Sequence, residues 1–195
     1  MNRIMNLEKF FRDDLQIDDE FLVKALVKIS QPIYLEKGAL LVRQDEKQED
    51  FLFLVSGIFR GFYLDANGKD VTDCFGVASG TPGMSVSIDN GISPISIEAA
   101  TECVFIRIPG KELFPLVDTH PLLLKRYISI MQTAMQILWE LKMVISQGAP
   151  LERYQWFLQK YPGLISRISN KHVASYLGMS PVTLSRIRHS LREEK

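Results

Sequence analysis

The sequence predicts an α+β protein in three parts: an N-terminal antiparallel β-roll of the jelly-roll, double-stranded β-helix type, a long helix, and an all-α C-terminal tail. Three observations carry this. Residues from about 31 to 108 hold short β-leaning runs separated by Gly-bearing turns. The stretch from His120 to about Ser146 is apolar at alternating steps of four and three. The last 45 or so residues break into three short helical segments at Tyr161-Pro162-Gly163 and Gly178.

The first thirty residues read as a helical preface, with Phe10, Phe11, Leu15, Phe21, Leu22 and Leu26 available for packing. Phe51–Val55 is a continuous apolar run closed by Ser56-Gly57. Ile58–Leu64 follows, and Asn67-Gly68 makes a hairpin turn into Val71–Phe75. Ile95–Ala99 and Val104–Ile108 supply further strands. In the long helix, Leu124, Ile128, Met131, Met135, Leu138, Lys142 and Ile145 form a coiled-coil seam with one polar member, Lys142. The seam predicts a homodimer; a helix laid on its own domain is the competing reading. Gly148 and Pro150 end it. The boundaries expected are 1–119 for the roll, 120–148 for the dimerisation helix and 149–195 for the tail.

The formal net charge is zero, with 23 basic and 23 acidic residues. From Pro150 onward, however, eight Lys or Arg face three Glu, net +5, which leaves the first 149 residues at −5. Such a division predicts that the tail alone meets a polyanion. Cys74 and Cys103 form neither a CxxC pair nor a disulfide ladder and read as two buried thiols in a reducing cytoplasm. Neither a signal peptide nor an apolar stretch of membrane-spanning length is apparent, so no membrane partner is expected.

The segment "HVASYLGMSPVTLSRIR" fits a helix-turn-helix. Ala174 is small where two helices would cross, and Gly178 permits the turn. Val173, Leu177, Met179, Leu184 and Ile187 close the helices on each other, while Ser180 is a good N-cap with Pro181 at the first helical position. At 100° per residue, Leu184, Ile187 and Leu191 form one stripe and Val182, Ser185, Arg186 and His189 the opposite face. An arginine can take guanine O6 and N7 bidentately, and a valine can meet a thymine methyl. The helix start, with the Ser180 and Thr183 hydroxyls, suits phosphate, and Lys171, Arg188 and Arg192 add non-specific charge. The candidate DNA-binding set is therefore Lys171, Ser180, Pro181, Val182, Thr183, Ser185, Arg186, Arg188 and His189.

This order of parts, with the roll segment "FLFLVSGIFRGFYLDANGK", resembles the Crp/Fnr family of bacterial transcription regulators over nearly the whole chain. The resemblance implies a homodimer on a two-fold symmetric double-stranded operator, with half-sites roughly 34–36 Å apart. RNA polymerase is a further candidate partner. It also implies an effector cassette, in which an acid holds a ribose hydroxyl and an arginine the cyclic phosphate. The matching stretch "GMSVSIDNGISPIS" puts Met84 at the acid, Pro94 at the arginine and Ile95 at the following hydroxyl. A buried phosphate without its guanidinium loses a charge-assisted pair, so the expected effector is not cyclic AMP bound in the family's way. Gly83, Met84, Ser85, Ser93, Pro94, Ile95 and Ser96 are the effector-pocket candidates, for an unknown small molecule; a filled structural core is the alternative. Two positions that commonly read bases in the family hold Pro181 and Val182, which implies a different operator. Only four residues follow Leu191, so no β-wing is encoded there.

An enzyme is not expected. Metal-dependent chemistry in a roll needs converging His and carboxylate ligands, and all three histidines (120, 172 and 189) lie outside it. No metal or cofactor is expected, and no cysteine precedes Cys74 to hold an iron–sulfur centre. The remaining rival is an interaction module, ligand-free or controlled by a protein partner, with only weak DNA binding. Operator discrimination of about 10³-fold or more separates the two.

Overall fold

The computed structural model describes residues 6–84 and 91–193. Its architecture is α+β: an antiparallel roll, a long helix and a C-terminal helical region. Helix α1 (Leu7–Lys9), continuing as a π-helical turn over Phe10–Asp14, and α2 (Glu20–Ile29) precede the strands. Asp19 caps α2 by accepting a hydrogen bond from the Leu22 amide at 2.9 Å.

Among the described residues, eight strands form two four-stranded sheets: β1 (Gln31–Leu35), β2 (Leu40–Val42), β3 (Asp50–Ser56), β4 (Phe59–Leu64), β5 (Asp70–Gly76), β6 (Pro82–Met84), β7 (Ser96–Ala99) and β8 (Cys103–Pro109). One sheet runs in the order β1-β8-β3-β6 and the other β2-β7-β4-β5, with every pairing antiparallel. Between the sheets lie Leu52, Leu54, Phe59, Ile97, Ala99, Cys103 and Phe105. The apolar run of β3 is continuous because the strand is buried on both faces. Leu52 and Leu54 point between the sheets, whereas Phe51 and Phe53 point outward, against α2 and the helices that follow the roll. Cys103 is buried and Cys74 packs at the edge of the same core; burial pushes the Cys74 thiol up to about 12.

Helix α3 (Gly110–Thr119) leads into α4 (Pro121–Gln147), which has Pro121 in its first turn. Two stripes with the same spacing run side by side on α4. Leu123, Tyr127, Ile130, Ala134, Ile137, Leu141 and Val144 are buried or half-buried. The neighbouring stripe is the one the sequence marks as a seam, and in the single chain Leu124, Ile128, Met135 and Leu138 are 46–61% exposed. Met131 and Ile145 are half-buried. Lys142 is exposed, its ammonium 4.7 Å from the centre of the Trp139 ring, so the polar member of the stripe rests on an aromatic face. The helix thus packs on its own domain along one stripe and offers a second apolar stripe to something else.

The C-terminal region comprises α5 (Pro150–Lys160), a 3₁₀ turn (Leu164–Ser166), α6 (Asn170–Tyr176) and α7 (Pro181–Glu193). It is not held by a tether alone. Phe75 of β5 enters an aromatic cluster with Phe157, Tyr161 and Tyr176, its ring 5.1 Å from that of Tyr176. The Thr72 amide of the same strand donates to Ser175 Oγ at 2.9 Å, so α6 supplies the partner that an edge strand lacks. Among the described residues, no helix is long and apolar enough to cross a membrane.

Candidate nucleic-acid interface and effector region

Helices α6 and α7 close on Val173, Ala174, Leu177 and Leu184, each fully buried, with Met179, Ile187 and Leu191 at the margin. Gly178, at φ +62°, makes the turn between them. Arg153 of α5 braces that turn: its Nη1 donates to the carbonyls of Leu177 and Gly178 at 3.3 Å, and its Nε to Gly148 at 2.8 Å. The turn is therefore fastened to the junction of α4 and α5. A Glu140–Lys160 ion pair at 2.6 Å ties the same two helices.

Ser180 caps α7, accepting from the Thr183 amide at 3.0 Å, and its hydroxyl lies 2.8 Å from that of Thr183. Both hydroxyls are thus fixed at the positive end of the helix. Pro181, Val182, Ser185, Arg186 and His189 are exposed, Val182 at 61%. The arrangement gives a helix with an apolar inner stripe and an outer face of one methyl-rich residue, one hydroxyl, one guanidinium and one imidazole. Such a face can contact base edges, and its capped start can contact phosphate.

Two of the candidate cations have other surroundings. Arg188 is half-buried, and its Nη1 donates to Asn170 Oδ1, which joins the start of α6 to the middle of α7. Lys171, exposed at the start of α6, lies in the field of Asp70 on β5. Asn170 and Ser175, absent from the candidate set, fasten α6 to α7 and to the roll, and His172, also absent from it, lies half-buried in the field of Arg60, Asp70 and Glu98. Sequence periodicity marks faces of a helix but carries no signal for which strand a polar face will meet.

An ion cluster sits where α6 meets the roll. The Arg60 side chain, 3% exposed, donates to both oxygens of Asp70 at 2.6 and 3.0 Å, to Glu98 at 2.7 Å and to Thr72 at 3.3 Å. It also lies 4.1 Å from the centre of the Phe62 ring. Burial pushes the Asp70 carboxyl up, but the Arg60 hydrogen bonds and charge outweigh it and leave it below the ordinary range. Burial and then the Arg60 charge depress His172.

The effector-pocket candidates fall on two strand ends. Gly83 is buried in β6, where a Cβ would come within 3.1 Å of the Phe105 ring and 3.3 Å of Leu52 Cβ. The backbone of Met84 pairs with Leu52, and Ser85 lies outside the described residues. Ser93 and Ser96 are buried with engaged hydroxyls: Ser93 Oγ donates to the Ile95 carbonyl at 2.6 Å, and Ser96 Oγ accepts from the Gln44 amide at 2.9 Å. Pro94 is exposed, and Ile95 packs against the inter-sheet core. Among the described residues, no group of His, Cys, Asp and Glu is placed to hold a metal.

Comparison with known proteins agrees with this architecture. Residues 32–120 match the cyclic nucleotide-binding domain. No curated protein matches the sequence. FixK2 from Bradyrhizobium japonicum has a similar structure, with a TM-score of 0.77, 15% identity, and coverage of 85% of this chain and 86% of its own. CLP from Xanthomonas campestris gives 0.75 at 13% identity, covering 90% and 93%. A Crp/Fnr-family protein from Eubacterium rectale gives 0.72 at 16% identity, covering 90% and 84%. Residues 32–120 are therefore similar to a cyclic nucleotide-binding domain, and the chain as a whole has the fold of the Crp/Fnr transcription regulators.

Proposed function

We propose that the chain is a homodimeric, sequence-specific DNA-binding transcription regulator of the Crp/Fnr type, with 1–119 as effector domain, 120–148 as dimerisation helix and 149–195 as DNA-binding domain. The observation that carries this is the capped, solvent-facing side of α7, with Val182, Ser185, Arg186 and His189 exposed on a helix whose other face is buried. The exposed Leu124–Leu138 stripe of α4 supports a dimer, because a monomer gains nothing by leaving that much hydrocarbon in water. Arg186 reads a base; Ser180 and Thr183 position the helix on phosphate; Lys171 adds charge. A signal in the roll acts by changing how the two recognition helices are spaced. That signal is not cyclic AMP bound in the family's way, since the arginine and acid positions hold Pro94 and Met84.

The test is fluorescence anisotropy with an operator selected from random double-stranded DNA. Wild type should prefer it by about 10³-fold or more, with affinity falling steeply in salt. Arg186→Ala should lose about 1–3 kcal/mol of that discrimination while remaining dimeric. Operator preference unchanged in this variant refutes the role of Arg186, and the absence of any preference in wild type favours the interaction-module reading.

A further inference from the structure

A cavity of about 290 Å³ lies between the N-terminal helices, the outer face of the β1-β8-β3-β6 sheet and the start of α4. Phe11 and Leu26 come from the preface, Phe53 and Ile108 from the sheet, Leu113 from α3 and Ile130 from α4. It is a different place from the effector candidates of the sequence: Gly83, Ser93, Pro94, Ile95 and Ser96 do not line it. Its wall is almost wholly hydrocarbon and phenyl, and Arg126 and Tyr127 of α4 border it on one side. Arg126 Nε is buried and, among the described residues, has no hydrogen-bond partner. An orphaned guanidinium nitrogen beside an apolar space is costly unless an acceptor arrives.

We propose that this cavity binds an amphipathic monocarboxylate of medium chain length, its alkyl chain against the phenylalanines and its carboxylate on Arg126. Size, polarity and charge each narrow the class. An engineered cavity of about 150 Å³ takes benzene, so twice that volume suits on the order of ten to twelve carbon atoms. A nucleotide does not fit the wall, because its base and ribose would need donors and acceptors on the sheet and preface sides as well. A second copy's α4 does not answer Arg126 either, since the exposed seam carries hydrocarbon and Lys142 but no carboxylate. A carboxylate, by contrast, takes a guanidinium in a charge-assisted pair. Leu124 both lines the cavity and begins the seam, so an occupant touches the stripe assigned to the dimer. Binding itself is independent of the DNA-binding proposal; only its regulatory consequence rests on that reading.

The experiment is calorimetry on the full chain with decanoate, decanol and decylamine, each also scored by thermal shift. Decanoate should bind and raise the melting temperature, with decylamine at least about tenfold weaker and decanol between them. Arg126→Gln should bring decanoate to the affinity of decanol while leaving decanol unchanged. Ile130→Phe, which fills the space, should weaken all three. Equal affinity for decanoate and decylamine in wild type overturns the role of Arg126 whether or not the variants fold. A dissociation constant for decanoate weaker than about 1 mM overturns the site.

Discussion

Replacing Arg60 by methionine keeps an unbranched apolar stem as far as the position of Nε and removes the charge. Arg60 is 3% exposed and satisfies Asp70 and Glu98, which are 27% and 24% exposed. Breaking a buried pair by removing one partner costs about 3–5 kcal/mol, because an uncompensated charge is left behind. Here two carboxylates are left, but each retains water on about a quarter of its surface, which moves the figure to the low end, about 3 kcal/mol. The assay is urea unfolding at pH 7. The triple variant Arg60→Met/Asp70→Asn/Glu98→Gln should recover most of the loss, since a neutral network of similar shape leaves no orphaned charge. The pH dependence has a definite sign. The folded Asp70 carboxyl titrates below its ordinary value of 3.8, so its stabilisation is present above that pH and is lost as pH falls through the folded value. In Arg60→Met the penalty should therefore shrink in acid, as the stranded carboxylates protonate. A loss below about 1 kcal/mol at pH 7, or a triple variant no more stable than the single one, refutes the reasoning.

Three further outcomes follow from burial and exposure. Phe75→Ala should cost about 3 kcal/mol, at the low end for a buried phenylalanine because Tyr176 and Phe157 can close on the gap. It should also speed hydrogen exchange of the Thr72 amide, whose acceptor is on α6; unchanged exchange would contradict the docking role. Leu138→Glu should weaken the proposed dimer about hundredfold in sedimentation equilibrium, since like charges would meet across the seam. It should shift monomer stability by no more than about 0.5 kcal/mol, because Leu138 is 49% exposed. Iodoacetamide should alkylate Cys74 far more slowly than a free thiol near pH 8, because burial has raised its pKa to about 12.

The sequence by itself determined the kinds of element and the faces they present. Strand runs, Gly turns and helix caps are local: Ser180 caps α7, and Gly178 turns at positive φ, for reasons contained within a few residues. Periodicity is nearly as local, and so the inner and outer stripes of α7 and the apolar seam of α4 could be read before any packing was known. Tertiary structure decided what those faces meet. Nothing in the spacing of α4 distinguishes the stripe at Leu123, Tyr127 and Ile130 from the seam beside it, because both repeat by fours and threes; contact with α3 and the sheet chooses between them. Nor could composition place Arg60, Asp70 and Glu98 together, which meet because β4 pairs with β5 on one side and β7 on the other, or set Phe75 among Tyr176 and Phe157, which lie far apart in the chain and meet only when the C-terminal helices dock on β5. The cavity at Arg126 belongs to the same class: its walls come from five separate segments, and only their packing creates both the space and the unsatisfied nitrogen beside it.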